Sequence, residues 1–313
     1  MTRILTITMN PSIDVSTSVA SVIPSRKLRC GPTRRDPGGG GVNVARALKR
    51  FGVEAIALYT AGGERGQMLR RMMAKERIEG ISLPITDDTR EDFTVDETSS
   101  GNQFRFVSAG PELSESEWRA ALSTIAHFRR PFAYIVASGS LPPGVPEDFY
   151  ARVAEIAHAR RTPIAVDASG AALRGALGAR IDLLKPSLSE LRDLSGLPLS
   201  DPTACRDACR ALIDRGMAKF VALTLGSQGA ILVSAEEALR AWPLPIHAVS
   251  TVGAGDSFLA AMIASLAQGR QLVDAFKRAV AGGTAALLAP GTQLCRAEDV
   301  DELESHVHID HIV

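Results

Sequence analysis

An α/β sandwich on a mostly parallel sheet is the fold this sequence predicts, and three observations carry that expectation. Apolar runs of strand character at 4–8, 55–59, 132–137, 163–166, 181–184 and 220–224 alternate with segments of helical spacing at 42–51, 67–76, 114–128, 146–160, 188–195 and 203–215. Such alternation calls for helices on both faces of a parallel sheet. The rhythm then changes: 256–268, 272–288 and 297–304 read as helices with no strand between them. Finally, two stretches break the pattern. Residues 14–37 are polar, β-rich and punctuated by Pro24, Pro32 and Pro37. Residues 89–107 alternate, with Phe93 and Val95 on one face, then Phe104 and Phe106 on one face opposite Gln103 and Arg105. These two insertions predict a small β-sheet lid whose apolar face must be covered, and we expect it to form the interface of a homodimer. The core is then expected over 1–13, 38–88 and 108–313.

Composition narrows the function. The 313 residues are 45% hydrophobic, enough for one large core, and their formal charge is zero, so no electrostatic footprint for nucleic acid or an anionic membrane exists. The N-terminal segment alternates like a strand and no signal-peptide core follows it; no apolar run approaches the roughly 18 residues of a membrane span. A cytoplasmic location is expected. Cys30, Cys205, Cys209 and Cys295 form no CxxC pair, and Cys205 and Cys209, four apart on an expected helix, read as buried thiols. His306, His308 and His311 could bind a metal weakly but read better as a frayed polar tail.

The chemistry concentrates in two glycine clusters, each opening a helix. Ser250-Thr251-Val252-Gly253-Ala254-Gly255-Asp256-Ser257 leads into an apolar helix, where small residues let backbone N–H groups crowd at the positive end of the macrodipole. Asp256 sits in that first turn. It is either an N-cap or a base that takes a proton from a neutral hydroxyl as a phosphoryl group arrives. Pro37-Gly38-Gly39-Gly40-Gly41-Val42-Asn43 is the second cluster. Four glycines in a row carry a large entropic cost and imply a backbone lying close to something. No GxxxxGK[ST], no strand-linked GxGxxG and no GxSxG is present, which removes the P-loop, dinucleotide and hydrolase-elbow signatures. Two glycine-lined helix starts in one domain suggest a two-substrate site.

From these residues the chain resembles, end to end, the ribokinase/pfkB family of sugar and nucleoside kinases, and within it the bacterial ATP-dependent 6-phosphofructokinase branch. The family's two signatures match PGGGGVNVARAL at 37–48 and STVGAGDSFLAAM at 250–262. The segments 8–14, 27–30, 138–144 and 291–295 support the branch. The resemblance implies a ribokinase-like three-layer sandwich with a central mostly parallel sheet and a small β lid.

It also implies roles. Asp256 is the expected general base, its pKa ordinary at roughly 4. The N–H groups of Gly253, Ala254, Gly255 and Asp256 form an anion hole. Asp14, Gly38, Gly39, Asn43 and Ser140 hold the acceptor sugar, although Asp14 and Ser140 also read as turn residues. Arg90 and Arg105 clamp the phosphate the sugar already carries, assisted by Lys27 reaching across from the partner subunit; lone strand arginines are otherwise solvated surface. Lys185, Ser187, Thr224, Gly226, Ser227 and Gly229 face the nucleotide, with a simple turn as the other reading of 226–229. Glu190 serves Mg²⁺ through water; Ser187 stands where relatives carry Asn, which implies an altered Mg²⁺ dependence. Ser250, Val252, Ala286, Ala289 and Gly291 match a site for a monovalent cation such as K⁺. The implied function is ATP-dependent phosphorylation of a sugar phosphate, fructose 6-phosphate to the 1,6-bisphosphate. 1-Phosphofructokinase and tagatose-6-phosphate kinase activities share these features, and a non-catalytic sugar-phosphate sensor is the reading from another class.

Overall fold

A computed structural model describes residues 3–289, 291 and 293–312. The chain enters the core as β1 (Arg3–Thr8) and leaves it at once as β2 (Ser12–Val19) and β3 (Arg34–Gly38). It returns through α1 (Gly40–Arg50), β4 (Glu54–Ala61), α2 (Gly63–Lys75) and β5 (Glu79–Pro84). A second excursion makes β6 (Arg90–Glu97) and β7 (Gln103–Phe106). Then follow α3 (Glu115–Ala126), β8 (Tyr134–Ser138), α4 (Phe149–Ala159), β9 (Ile164–Asp167), α5 (Gly170–Ala176), β10 (Ile181–Leu184), α6 (Leu188–Ser195), α7 (Pro202–Asp214) and β11 (Ala218–Thr224). The remainder is β12 (Ala230–Val233), β13 (Ala238–Ala241), α8 (Ala254–Ala267), α9 (Leu272–Leu287), α10 (Ala297–Glu304) and β14 (Ile309–His311).

The central sheet has ten strands in the order β14-β13-β12-β11-β10-β9-β8-β1-β4-β5, parallel from β5 to β11 and antiparallel beyond. Alternate side chains feed two helical layers, the expectation for a doubly covered sheet. Leu5, Ile135 and Leu223 pack toward α3–α7, whereas Ile4, Val136 and Ala222 pack toward α1 and α8–α10. Local chemistry sets the helix ends. Ser114 and Glu117 form a reciprocal capping box on α3, and Asp201 caps α7 with Pro202 at its first position.

The two insertions meet in a separate four-stranded sheet, β3-β2-β6-β7. It is mixed, because β2 and β6 run parallel while both outer pairs are antiparallel. Its strands begin and end slightly inside the expected core segments, at Ser12 and Gly38. Register explains the alternation in the sequence. Val15, Phe93 and Phe106 lie abreast on one face, as do Thr17, Val95 and Phe104. Asp14 with Asp92, and Ser16 with Thr94 and Arg105, occupy the other. The apolar face is covered at Val15 but bare further out, where Phe93 is 46% and Phe106 59% exposed.

Several elements differ from expectation. The strands β5, β12, β13 and β14 and the short α5 were not foreseen. Residues 309–311 are no frayed tail: they pair with Leu239–Ala241 as an edge strand. No group of three His, Cys, Asp or Glu residues suited to a metal is found among the described residues. Cys205 and Cys209 are buried as expected.

Candidate active site

Most of the expected site residues gather outside the carboxyl ends of the parallel strands, where open α/β sheets bind ligands. Asp14 follows β1, Ser140 follows β8, Asp167 ends β9, Lys185 follows β10 and Thr224 ends β11. Above them stand the N-termini of α1 and α8. Neither helix has a side-chain cap, and the N–H groups of Gly253, Ala254, Gly255 and Asp256 find no acceptor among the described residues. Uncapped N–H groups at a helix N-terminus favour an anion. Gly253 enters α8 at φ 77°, and a Cβ there would lie 2.5 Å from Leu294 Cδ2, so only glycine serves.

Asp256 is in that first turn, and its Oδ2 accepts a hydrogen bond of 2.9 Å from Asn43 Nδ2 on α1. One bond thus joins the two glycine clusters. The expectation of an ordinary pKa fails here: burial, and next the Asp167 carboxylate, push Asp256 up to about 7, against the pull of Asn43 and Lys185. A half-buried carboxyl that titrates near neutrality is suited to proton transfer.

Lys185 does not stand free to meet a phosphate. Its Nζ pairs with Asp167 Oδ1 at 3.1 Å, and both are largely shielded from solvent. Burial alone would lower its pKa, but Asp167 carries it above the ordinary lysine value, so it stays charged. It nevertheless underlies the anion hole, since a Cβ added at Gly255 would come within 3.4 Å of Lys185 Nζ. Asp167 escaped sequence reasoning; its place at a strand's carboxyl end was the only available signal.

On the sugar side, Ser12 Oγ donates to Asp14 Oδ1 at 2.6 Å, and burial raises the Asp14 pKa first, with Asp92 adding to it. The glycine run has a steric cause: a Cβ at Gly38 would sit 2.1 Å from Asp14 Oδ1, and one at Gly41 2.5 Å from the Ile7 carbonyl oxygen. Gly39, at φ 101°, makes the turn into α1. Arg90, expected at the sugar's phosphate, opens β6. Its Nε and Nη2 donate to the Asn10 carbonyl, and its Nη1 to the Ser108 carbonyl and Asp92. It therefore fastens the small sheet to the end of β1. Asn10, also missed, donates to Ala109 O at 2.8 Å and to Ser140 Oγ at 3.1 Å. Arg105 is exposed on the polar face, close enough to favour the ionised form of Asp14. Lys27 is exposed in the irregular segment between β2 and β3.

On the nucleotide side, the Thr224 N–H and hydroxyl both donate to the Pro186 carbonyl, at 3.0 and 3.4 Å. Gly226–Gln228 form a 3-10 turn leading through Gly229 into β12, so the turn reading of this segment holds as well. Ser227 lines a cavity of about 670 Å³ with Leu188, Arg192, Arg240 and Trp242; none of the reacting groups lines it. Ser187 and Glu190 form a capping box: the Ser187 N–H donates to Glu190 Oε2 at 2.7 Å, and the Glu190 N–H to Ser187 Oγ at 3.3 Å. Ser187 is thus an N-cap of α6, a role the sequence reading overlooked. Of the cation-site residues, Ser250 and Gly291 meet directly, the Ser250 hydroxyl donating to the Gly291 carbonyl at 3.2 Å. Val252 bonds back to the Ser250 hydroxyl, and Ala289 to the Ala286 carbonyl.

Glycine-walled helix starts, a half-buried acid of raised pKa and a separate four-stranded sheet thus occur together on one α/β chain. A profile of pfkB family carbohydrate kinases matches residues 5–299, and the chain belongs to that family. An ATP-dependent 6-phosphofructokinase isozyme 2 of Mycobacterium tuberculosis is 42% identical over 96% of this chain and 88% of its own. The protein of the same name from Escherichia coli is 38% identical over 98% and 99%. A crystal structure of the phosphofructokinase-2 from Escherichia coli in complex with fructose-6-phosphate superposes with a TM-score of 0.91 at 36% identity, covering 98% of this chain and 99% of that one.

Proposed function

We propose that the protein transfers the γ-phosphoryl group of ATP to the 1-hydroxyl of fructose 6-phosphate. The observation that carries this reading is Asp256: a half-buried carboxyl titrating near 7, in the first turn of a helix whose amides are bare. The relatives named 6-phosphofructokinase and the fructose-6-phosphate complex of a close structural neighbour support the choice of sugar.

In the mechanism, Asp14 and Asn43 orient the sugar so that its 1-hydroxyl faces Asp256. As the new O–P bond forms and the bond to the leaving ADP breaks, the hydroxyl proton passes to the Asp256 carboxylate. The amides of Gly253 to Asp256 take up charge on the transferring group, with Lys185 beneath them. Donors placed this way are worth about 3 kcal/mol each where they have been removed elsewhere. Mg²⁺ supplies neutralisation of the triphosphate. The donors here fit an ion that keeps most of its water, since Glu190 has one oxygen committed to the Ser187 N–H. The meeting of the 250–252 and 286–291 segments fits carbonyl ligation of K⁺.

The exposed Phe93 and Phe106 support a homodimer through the small sheet, with Lys27 of one chain offered to the other's sugar phosphate. No described helix is long and apolar enough to cross a membrane, in keeping with a cytoplasmic enzyme. The decisive experiment is ADP release over a panel of fructose 6-phosphate, fructose 1-phosphate, tagatose 6-phosphate and free fructose, with Asp256→Asn as control. Preference for another acceptor overturns the substrate assignment, and an active Asp256→Asn enzyme overturns the mechanism.

A further inference from the structure

We infer that Arg46, clamped by Glu76, is a positioning residue for the catalytic base: it dictates which end of the Asn43 amide faces Asp256. The inference rests on the reading of Asp256 as base. An asparagine offers a donor at one end and an acceptor at the other, and only the donor supports a carboxylate. Asn43 Nδ2 donates to Asp256, while Asn43 Oδ1 accepts a 3.1 Å hydrogen bond from Arg46 Nη1. A guanidinium has donors only, so Arg46 tolerates the amide in this orientation and opposes the flipped one.

Arg46 is itself firmly held. It is 2% exposed, its Nε and Nη2 reach Glu76 Oε2 and Oε1 at 2.9 and 2.8 Å, and its Nη1 also meets the Pro37 carbonyl at 3.0 Å. Asp36 of β3 lies 4.0 Å away. A buried arginine with bidentate fixation has one geometry, and it transmits that geometry to Asn43 three residues before it on α1. The charged groups around this relay are few. Asp36, Glu76, Arg50 and Arg34 surround the guanidinium end, and Asp167, Lys185 and Asp14 face Asp256. Asn43 lowers the Asp256 pKa in this arrangement, so a flipped amide, presenting Oδ1, would raise it.

The test is the pH dependence of kcat/KM for fructose 6-phosphate in Arg46→Met, Arg46→Lys and Glu76→Gln. Loss of the orienting contact should move the acidic limb upward by about one pH unit and cut kcat/KM at pH 7 about fivefold, with KM for ATP unchanged. Arg46→Lys should fall between, because an ammonium cannot grip Glu76 bidentately while reaching Asn43. On an Asn43→Ala background Arg46→Met should move the limb no further, as a merely structural role would not require. A folded Arg46→Met enzyme with an unmoved limb, or an effect that adds fully to Asn43→Ala, overturns the inference. If Arg46→Met does not fold, Arg46→Lys and Glu76→Gln decide it on the same criteria. Asp256→Asn separates the two levels: activity there would fell the reading of the base, whereas an inactive Asp256→Asn beside an unmoved limb fells this inference alone. The same displacement is readable without turnover, as the pH at which folding stability changes slope.

Discussion

Asp256→Asn should give a protein that is inactive yet more stable than its parent at neutral and alkaline pH. The carboxyl titrates at about 7 in the folded chain against an ordinary value of 3.8. The folded state therefore holds this proton more tightly than the unfolded state does. Above pH 7 the carboxylate is ionised in both states and its burial opposes folding. As pH falls from 7 toward 4, only the folded state takes up the proton, and stability rises by about 1.4 kcal/mol per pH unit from this group. The full interval amounts to about 4 kcal/mol, and the partial contact of the side chain with the cleft reduces it to about 2–4 kcal/mol. Asparagine keeps the shape and cannot ionise, so the variant lacks this slope. Urea unfolding of both proteins at pH 8, 6 and 4.5 measures the difference. The advantage of Asn should be largest at pH 8 and shrink steadily toward pH 4.5. An advantage of equal size at every pH, or a variant less stable than the parent at pH 8, would refute the reasoning.

Other outcomes follow from the same geometry. The acidic limb of kcat/KM should have its midpoint at about 7 and fall about tenfold per pH unit below it, because a protonated Asp256 cannot accept the hydroxyl proton; a limb below pH 5 in a titration series would contradict this. Gly38→Ala places a methyl 2.1 Å from Asp14 Oδ1, and steady-state kinetics should show about a hundredfold loss of kcat/KM for the sugar phosphate with little change for ATP. Lys185→Met leaves Asp167 buried without its cation, which should lower stability by about 3–5 kcal/mol in chemical denaturation and reduce kcat. Phe93→Asp, on the bare apolar face, should disrupt the proposed dimer and sediment as a monomer, whereas the parent sediments as the larger species.

What the sequence disclosed and what it withheld divide along a physical line. Parallel strands covered on both faces leave continuous apolar runs, so β1, β4 and β8–β11 could be read directly. Edge elements leave weaker traces. β5 reads Glu-Gly-Ile-Ser-Leu-Pro, β14 is only the three residues Ile-Asp-His, and α5 contains two glycines. None of these can show a hydrophobic period. The proposed base and both glycine clusters were legible because their chemistry is local: helix N-terminus, small residues and a carboxyl occupy adjacent positions. The state of that acid was not, because burial and Asp167, from another strand, raise its pKa.

Arg90 and Arg46 make the same point from opposite directions. Arg90 on a predicted lid strand reads as a phosphate clamp, and the sequence does not show that strand register also sets it beside Ser12, where it donates to the Asn10 and Ser108 carbonyls. Arg46 lies inside a family signature and reads as one more polar residue of an amphipathic helix. Its partners, Glu76 and Asn43, are thirty and three positions away, and only the fold makes them consecutive. A donor-only side chain between a carboxylate and an ambiguous amide removes the ambiguity. The cleft needs that service because Asp256 already stands near Asp167 and Asp14; with the amide reversed, it would face a third acceptor and hold its proton at the pH where it must accept one.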